Sequence, residues 1–451
     1  MKLSRLSLSS VTAVLVTLFV LMVGIRQKRY LRGEIIRHDV VTYYAYLPAL
    51  FIHHDLISPS PDRLPGDIRW HLHLVEAPGG GKTLKMPLGV ALLLLPFFWV
   101  AHLLALLTGT TADGYGPVYQ FFVLLAAVSY LLAGLWALRK VLLRWFSEGV
   151  TAATLVIVVL ATNLLYYAAI EPGMSHVYSF SLFAWLLRMS LQWFERPHPG
   201  VAFAAGLLAG LIVVVRPVNG LVLLVPLLYG ILKYRGSLLS RVMENKGQVA
   251  GMLLAAALPV LLQMIYWKYS TGRFIFYSYG EERFFFNHPH ILKGLFSYRK
   301  GWLLYTPVMT FALVGLGFWY KKEKALFWPL VIYLLLHIYV TFSWWCWWYG
   351  GSYGARPMVE TYALLALPMA AFVEWSFRRR DGIRLLVTAA FVFFIFLNLF
   401  QVRQYTITML HWDSTSKKLY WKVFLRKQWP EGYEKMLEHP DYQKALETGD
   451  E

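Results

Sequence analysis

Apolar runs of about twenty residues recur along the whole of this chain, and a helix needs about that length to cross the hydrocarbon of a bilayer. They fall at 8–25, 87–107, 118–138, 150–169, 177–194, 201–215, 218–232, 248–267, 302–320, 325–343, 359–376 and 385–401. One soluble core cannot stow so many, so an all-α polytopic membrane protein is expected. With 58% hydrophobic and 15% charged residues and a mean hydropathy of +0.49, the composition fits no soluble enzyme with a single anchor. The net charge of +18 does not imply nucleic acid, because Lys and Arg sit in short clusters between apolar runs, where they orient spans. The single cysteine, Cys346, excludes an intrachain disulfide framework. Arg26 and Lys28, not a small-residue cleavage site, follow the first run, which reads as an uncleaved span.

The connections predict sidedness. Arg139, Lys140 and Arg144 mark one cytoplasmic turn; Lys233, Arg235, Arg241 and Lys246 mark a second. Lys321, Lys322 and Lys324 mark a third, and Arg378, Arg379, Arg380 and Arg384 a fourth. These agree if 201–232 is a hairpin of two short spans with Arg216-Pro217 at its outer tip. Parity then leaves two arrangements. If 87–107 crosses, the segment after the first span faces inward, as its five basic residues, Arg26, Lys28, Arg29, Arg32 and Arg37, would have it. If 87–107 lies along the outer surface, as Pro87, Gly89 and Pro96 suggest, that segment faces outward and about 11 spans remain. The second arrangement gathers the unusual polar residues on one side and is the expectation adopted. A first outer loop then covers 26–117, the multi-span domain 1–401, and a small polar tail 402–451, with eight basic and eight acidic residues.

Within that loop, His38-Asp39-Val40-Val41-Thr42-Tyr43-Tyr44 sets an acid beside tyrosines at a water edge. Helical spacing puts Asp39, Tyr43 and Leu47 on one face, and Pro48 ends or kinks the helix. An interfacial helix with an aromatic belt would look similar. Lys85, Glu171, His176, Arg216 and Arg356 join the same side. Ionisable groups at membrane depth cost roughly 2.5–3.5 kcal/mol each, so they usually have a partner or a task. Arg216 interrupts the apolar stretch 207–215, and Arg356 follows the glycine-rich loop 349–355; a guanidinium fork suits phosphate. The tryptophans of 344–348 read mostly as an interface belt. Gly79-Gly80-Gly81-Lys82-Thr83 lacks the spacing and strand–loop–helix setting of a nucleotide loop and reads as a loop tip.

In order along the chain these motifs resemble the GT-C class of integral membrane glycosyltransferases, near the protein mannosyltransferases and aminoarabinose transferases. The resemblance covers roughly 1–400 and is clearest over 1–235. Asp39 and Tyr43 match an acid on a juxtamembrane helix with a tyrosine four residues later. Lys85-Met86-Pro87 is similar, with one residue inserted, to a Lys-Pro pair opening a surface helix. Glu171-Pro172 resembles the acid before proline in the next outer loop, and Arg216 the basic residue atop a short hairpin.

The resemblance implies an inverting transfer of a hexosyl- or pentosyl-type sugar from a polyprenyl-phosphate donor to a glycan, lipid or protein acceptor. Asp39 would be the general base, and Lys85, Arg216 or Arg356 would meet the phosphate, with Tyr43, Tyr44, Glu171 and His176 lining the substrate site. The setting implied is a bacterial inner membrane with the site facing out. Some members of the class bind a divalent metal in the first outer loop. Leu84 stands where close relatives have a second acid, and Asp55, Asp62, Asp67 and Glu76 do not match; His38, His71 and His73 offer nitrogens, so metal dependence stays open. No other cofactor is implied. A transporter or flippase of lipid-linked sugars is the rival; it would show internal repeats and mid-membrane polar breaks, neither of which is evident.

Overall fold

The computed structural model of the chain describes residues 7–55, 64–66, 68–78 and 80–451. The expected Asp62, Asp67 and Gly79 lie outside the described residues. In chain order come α1 (Leu8–Gln27), α2 (Asp39–Tyr44), α3 (Tyr46–Phe51), the antiparallel pair β1 (Leu74–Glu76) and β2 (Lys82–Leu84), α4 (Gly89–Thr108), α5 (Pro117–Leu142) and α6 (Glu148–Leu160). Next are α7 (Leu164–Ala169), α8 (Ser175–Glu195), α9 (Pro199–Val215), a 3-10 segment at Pro217–Leu223, α10 (Leu224–Lys233), α11 (Leu238–Glu244) and α12 (Lys246–Thr271). Then follow α13 (Ile291–Phe296), α14 (Trp302–Tyr305), α15 (Met309–Lys322), α16 (Lys324–Thr341), a 3-10 turn at Arg356–Thr361, α17 (Tyr362–Phe377), α18 (Asp381–Thr406), α19 (Lys417–Val423) and α20 (Tyr442–Thr448). The protein is 69% helical, the all-α polytopic class expected.

Seven helices among the described residues are long and apolar enough to cross a membrane, or eight if Pro217–Lys233 and Leu238–Glu244, bent by 112°, form one span. The eleven expected are not reached by this measure because several apolar runs are broken. Pro307 lies in the gap between α14 and α15, and run 150–169 breaks between α6 and α7 at 161–163. Pro87, Gly89 and Pro96 do not disrupt 87–107: Pro87 precedes the helix, Gly89 opens it, and α4 continues through Pro96 to Thr108. Pro48 acts one turn upstream of itself. It sits in the first turn of α3, where a missing N–H is harmless, yet it cannot donate to the Tyr44 carbonyl, and α2 stops there.

The chain packs as two compact units, one of Met1–Val16, Leu135–Tyr166 and Glu281–Glu451, the other of Thr17–Gly134 and Tyr167–Gly280. In the first, α15 lies against α17, with Gly315 close under the Pro368 carbonyl. The break between α6 and α7 is held by side chains from later helices. The Asn398 amide donates to the carbonyls of Leu160 and Thr162, each at 2.8 Å. Asn163 accepts from the Tyr362 hydroxyl at 2.7 Å and donates to the Tyr353 carbonyl at 3.1 Å. At one end, Glu374 pairs with Lys322 at 2.6 Å and Arg378 at 3.0 Å, while Lys322 lies 4.6 Å over the Phe146 ring. Three of the four basic connections therefore meet at a single end, as the charge pattern requires. The expected tail begins inside α18, which runs on to Thr406; the residues after it form α19, a 3-10 turn at Tyr433–Met436, α20 and connecting turns, in which the buried Asp413 accepts from Ser414 at 2.6 Å and Tyr442 at 2.9 Å.

The second unit is built on α9 against α12, where Gly206 and Gly210 meet the Met252 and Ala256 carbonyls, the small-residue spacing that lets membrane helices approach closely. Polar side chains from helices again support irregular backbone. Gln120 of α5, fully buried, accepts from the Ile35 and Ile36 amides at 2.9 and 2.8 Å. On α12, Tyr266 accepts from the Leu84 amide at 2.9 Å and Gln263 from the Leu88 amide at 2.8 Å. The basic run after α1 is partly neutralised within itself: Arg32 holds Glu34 with two bonds of 2.8 and 2.9 Å, and this pairing keeps the Glu34 carboxyl below its usual range. Replacing Gln120 with leucine leaves two buried amides without an acceptor, a cost of about 1–3 kcal/mol each. Thermal unfolding of Gln120→Leu in detergent should start several degrees below wild type, and an unchanged midpoint would show that these amides find other partners.

Candidate active site

Asp39 opens α2, and the chain reaches it through constrained backbone. Gln120 fixes Ile35 and Ile36, and His38 then adopts φ +52°, ψ −136°, a left-handed conformation that costs on the order of 1–3 kcal/mol for a side chain with a Cβ. Desolvation of the His38 ring lowers its pKa, and the nearby Arg29 and Arg37 lower it further against the opposing pull of Asp39. Beside the half-buried Asp39, the imidazole thus holds a proton less readily than a free imidazole does. Its ring meets that of His71 edge-on at 4.5 Å.

Thr42, one turn after Asp39, ties α2 to the hairpin. Its hydroxyl accepts from the His73 amide at 3.1 Å. His73 stands just before β1, and its carbonyl accepts from the Lys85 amide at 3.0 Å, one step beyond the Leu74–Leu84 pair. Lys85 is half-buried, with its ammonium 5.7 Å from the Tyr279 ring. The Ser278 hydroxyl donates to the Lys85 carbonyl and the Tyr46 hydroxyl to the Met86 carbonyl, each at 2.7 Å. Gly80 and Gly81, before β2, belong to a hairpin between two strands, and β2 is not followed directly by a helix that could receive a nucleotide phosphate.

A third segment closes on α2 from another direction. Glu171-Pro172-Gly173 joins α7 to α8, and a Cβ at Gly173 would stand 2.1 Å from Val40 Cγ1, so the loop backbone rests directly on the residue after Asp39. Pro172 is held by the Tyr178 hydroxyl, which donates to its carbonyl at 2.8 Å. His176, buried in the first turn of α8, meets the Tyr167 ring at 4.9 Å. One turn on, Ser179 accepts from the Asn219 amide group at 2.9 Å, and the Asn219 backbone bonds the Arg216 carbonyl at 2.9 Å. Arg216, half-buried, breaks the chain between α9 and the 3-10 segment with extended φ, ψ of −154° and 119°. Just before it, the backbone of Val214 and Val215 lies within 2.6 Å of where a Gly89 Cβ would be. That contact joins the Arg216 turn to the segment begun by Lys85.

Asp39, Lys85, Glu171, His176 and Arg216, spread over nearly 180 residues, thus sit on neighbouring pieces of one unit. Tyr43 and Tyr44 are buried on α2; the Tyr44 hydroxyl donates to the Gly114 carbonyl at 2.7 Å. Arg356, half-buried at the head of its 3-10 turn, belongs to the other unit. The tryptophan run departs from the interface belt expected of it. Trp347 and Trp348 are 1% exposed and pack with Cys346 and Ala445, while Trp344 and Trp345 lie over that cluster. Burial pushes the Cys346 thiol up to about 12. Thr42, Tyr46, Gln263 and Tyr266 were not singled out in the sequence, although Gln263, Tyr266 and Ser270 stand at helical spacing in an otherwise apolar run.

No protein-family model and no curated protein matches the sequence. Solved structures that align with the chain include the following two. The crystal structure of ArnT from Cupriavidus metallidurans bound to undecaprenyl phosphate aligns with a TM-score of 0.48 and 16% identity, over 88% of this chain and 71% of that one. The apo oligosaccharyltransferase of Archaeoglobus fulgidus aligns with a TM-score of 0.48 and 11% identity, over 95% of this chain; the alignment spans 61% of the archaeal chain.

The Val40–Gly173 contact is testable without any assay of activity. Gly173→Ala should lower the unfolding temperature, and Val40→Ala should restore most of the loss in the double variant. A coupling energy of about 0.5–3 kcal/mol is expected for residues in direct contact. Strict additivity in the cycle would mean that the loop does not rest on α2.

Proposed function

We propose that the protein is an inverting membrane glycosyltransferase that moves a sugar from a polyprenyl-phosphate donor to an acceptor on the outer face of the membrane. The observation that carries this reading is the gathering of Asp39, Lys85, Glu171 and Arg216 through the Thr42–His73–Lys85 ties and the Val40–Gly173 and Gly89–Val215 contacts. Two carboxylates and two cations on neighbouring pieces of one unit are groups that such a transfer would use. The ordered motif resemblance to the GT-C class supports the same conclusion.

In the proposed step, Asp39 takes the proton of an acceptor hydroxyl or amine as the heteroatom attacks the anomeric carbon. The bond from that carbon to the donor's phosphate oxygen breaks on the opposite face, which inverts the centre. Polyprenyl phosphate leaves with the electron pair, and Lys85 and Arg216 neutralise the growing charge. Arg356 is the other guanidinium proposed for phosphate recognition. Glu171 and His176 are proposed to bind substrate, together with the face of Tyr43 and Tyr44. Multi-pass membrane insertion in a bacterial inner membrane is the proposed setting, and 402–451 is proposed as a distinct polar tail.

Asp39→Asn keeps size and most hydrogen bonding but removes the base, so release of polyprenyl phosphate from a panel of polyprenyl-phosphate sugars should slow by about 10²–10⁴-fold at unchanged protein level. A near-wild-type rate would make Asp39 a positioning acid. Arg216→Lys and Arg356→Lys retain the charge and lose the fork, so each should weaken donor use partly, and alanine severely. A flippase would move a lipid-linked sugar across liposomes yet cleave no donor with any acceptor offered.

Orientation has its own check. A Cβ at Gly66, Gly236 or Gly382 meets nothing within 4 Å, and Cys346 is buried, so single cysteines at those glycines report with little background. Gly66→Cys should react with an impermeant thiol reagent from outside, and Gly236→Cys and Gly382→Cys only after the membrane is opened. The reverse pattern would place Asp39 on the cytoplasmic side.

A further inference from the structure

The C-terminal residues of the chain meet two histidines far from Asp39 in sequence. His288 and His290 flank Pro289 ahead of α13, and α20 ends at Gly449, which turns the chain with φ +82°. Asp450 then points one carboxylate oxygen at both rings. Its Oδ1 lies 3.4 Å from His288 Nδ1 and 3.6 Å from His290 Nε2. The three donor atoms all fall within 4.8 Å of one another, and the two rings stand at 86°. Thr448 steadies the Asp450 backbone, its hydroxyl accepting from the Asp450 amide at 3.1 Å. The nearby cations are engaged elsewhere: Lys293 and Arg299 bind the Glu451 carboxylate at 3.4 and 3.1 Å.

We propose that His288, His290 and Asp450 form a binding site for a divalent transition metal, zinc above all, that fastens 449–451 to the 288–290 turn. Zinc bonds of about 2.0–2.1 Å at tetrahedral angles put neighbouring ligands about 3.3 Å apart, close to both histidine–carboxylate separations here. The set of two imidazoles and one carboxylate selects zinc over magnesium or calcium, which prefer oxygen alone. His288 is exposed, so an ion can enter from solvent, and the buried His290 gives the site a fixed wall. The His290 Nε2 atom lies 2.5 Å from the Gly449 carbonyl, which can only accept, so Nε2 carries the proton when no metal is bound. Coordination through Nε2 shifts that proton to Nδ1 and replaces the hydrogen bond to the Gly449 carbonyl with a bond to the metal. No electron transfer is involved, and the site stands independently of the transferase reading.

The test uses the full-length protein, purified in detergent, stripped with chelator and equilibrated with zinc, cobalt, magnesium or calcium. About one zinc per chain should bind, and cobalt should give the intense visible bands of a four-coordinate ion, with no uptake of magnesium or calcium. His288→Asn and Asp450→Asn, at the more exposed ligands, should each weaken zinc binding about tenfold or more and abolish the cobalt bands. His71→Asn should leave both signals intact, which separates this site from the histidines near Asp39. No zinc retained by the wild-type chain, or zinc retained equally by the His288 and Asp450 variants, would overturn the proposal. Because His288 lies on the surface, its variant also guards against loss of binding through misfolding.

Discussion

Irregular backbone inside a helical membrane protein has to find hydrogen-bond partners, and most of this structure can be traced to how that demand is met. At three places where the chain leaves helical geometry, a polar side chain projects from an apolar helix to meet the backbone. Gln120 serves the approach to Asp39, Gln263 and Tyr266 serve the segment from Leu84 to Leu88, and Asn398 serves the break between α6 and α7. In water such groups would be weakly held. In an apolar surrounding, an amide without a partner is expensive, so each of these side chains fixes one backbone conformation and excludes others.

The helix bearing Asp39 depends on this arrangement most. Six residues are far too few for a helix stable by itself. Its position is imposed from three sides, by Gln120 before it, by His73 on Thr42 and by Gly173 on Val40. A carboxylate held this way can keep a set geometry while remaining half-buried and reachable. The strained His38 is the cost of bringing the chain into that position.

The class of fold was legible because hydrophobic length is a one-dimensional signal: apolar runs can be counted without knowing what packs on what. Span count was less legible, since a run such as 302–320 keeps its apolarity across Pro307 while its helix does not. Asp39, Lys85, Glu171 and Arg216 stood out because charge among apolar residues is rare. What gathers them was invisible for the opposite reason. Gly173 and Gly89 act through the absence of a side chain, and Thr42 acts through a hydroxyl indistinguishable in sequence from any other. The tryptophans of 344–348 were misjudged because aromatic density marks an interface and a packed core equally well, and only the partner Ala445, about a hundred residues on, decides between them.

Charge follows the same logic of local settlement. Five basic residues after α1 oppose the outward placement of Asp39 if each counts in full. Glu34, held by Arg32 and within 3.6 Å of Arg29, removes part of that charge before it reaches the membrane field. In the other unit, Glu374 binds Lys322 and Arg378 from two separate basic turns, so cations that orient the spans also fasten their helices together. Glu34 offsets one of the five basic residues, so the outward placement proposed for Asp39 rests on the gathering of polar groups and not on the charge of this segment.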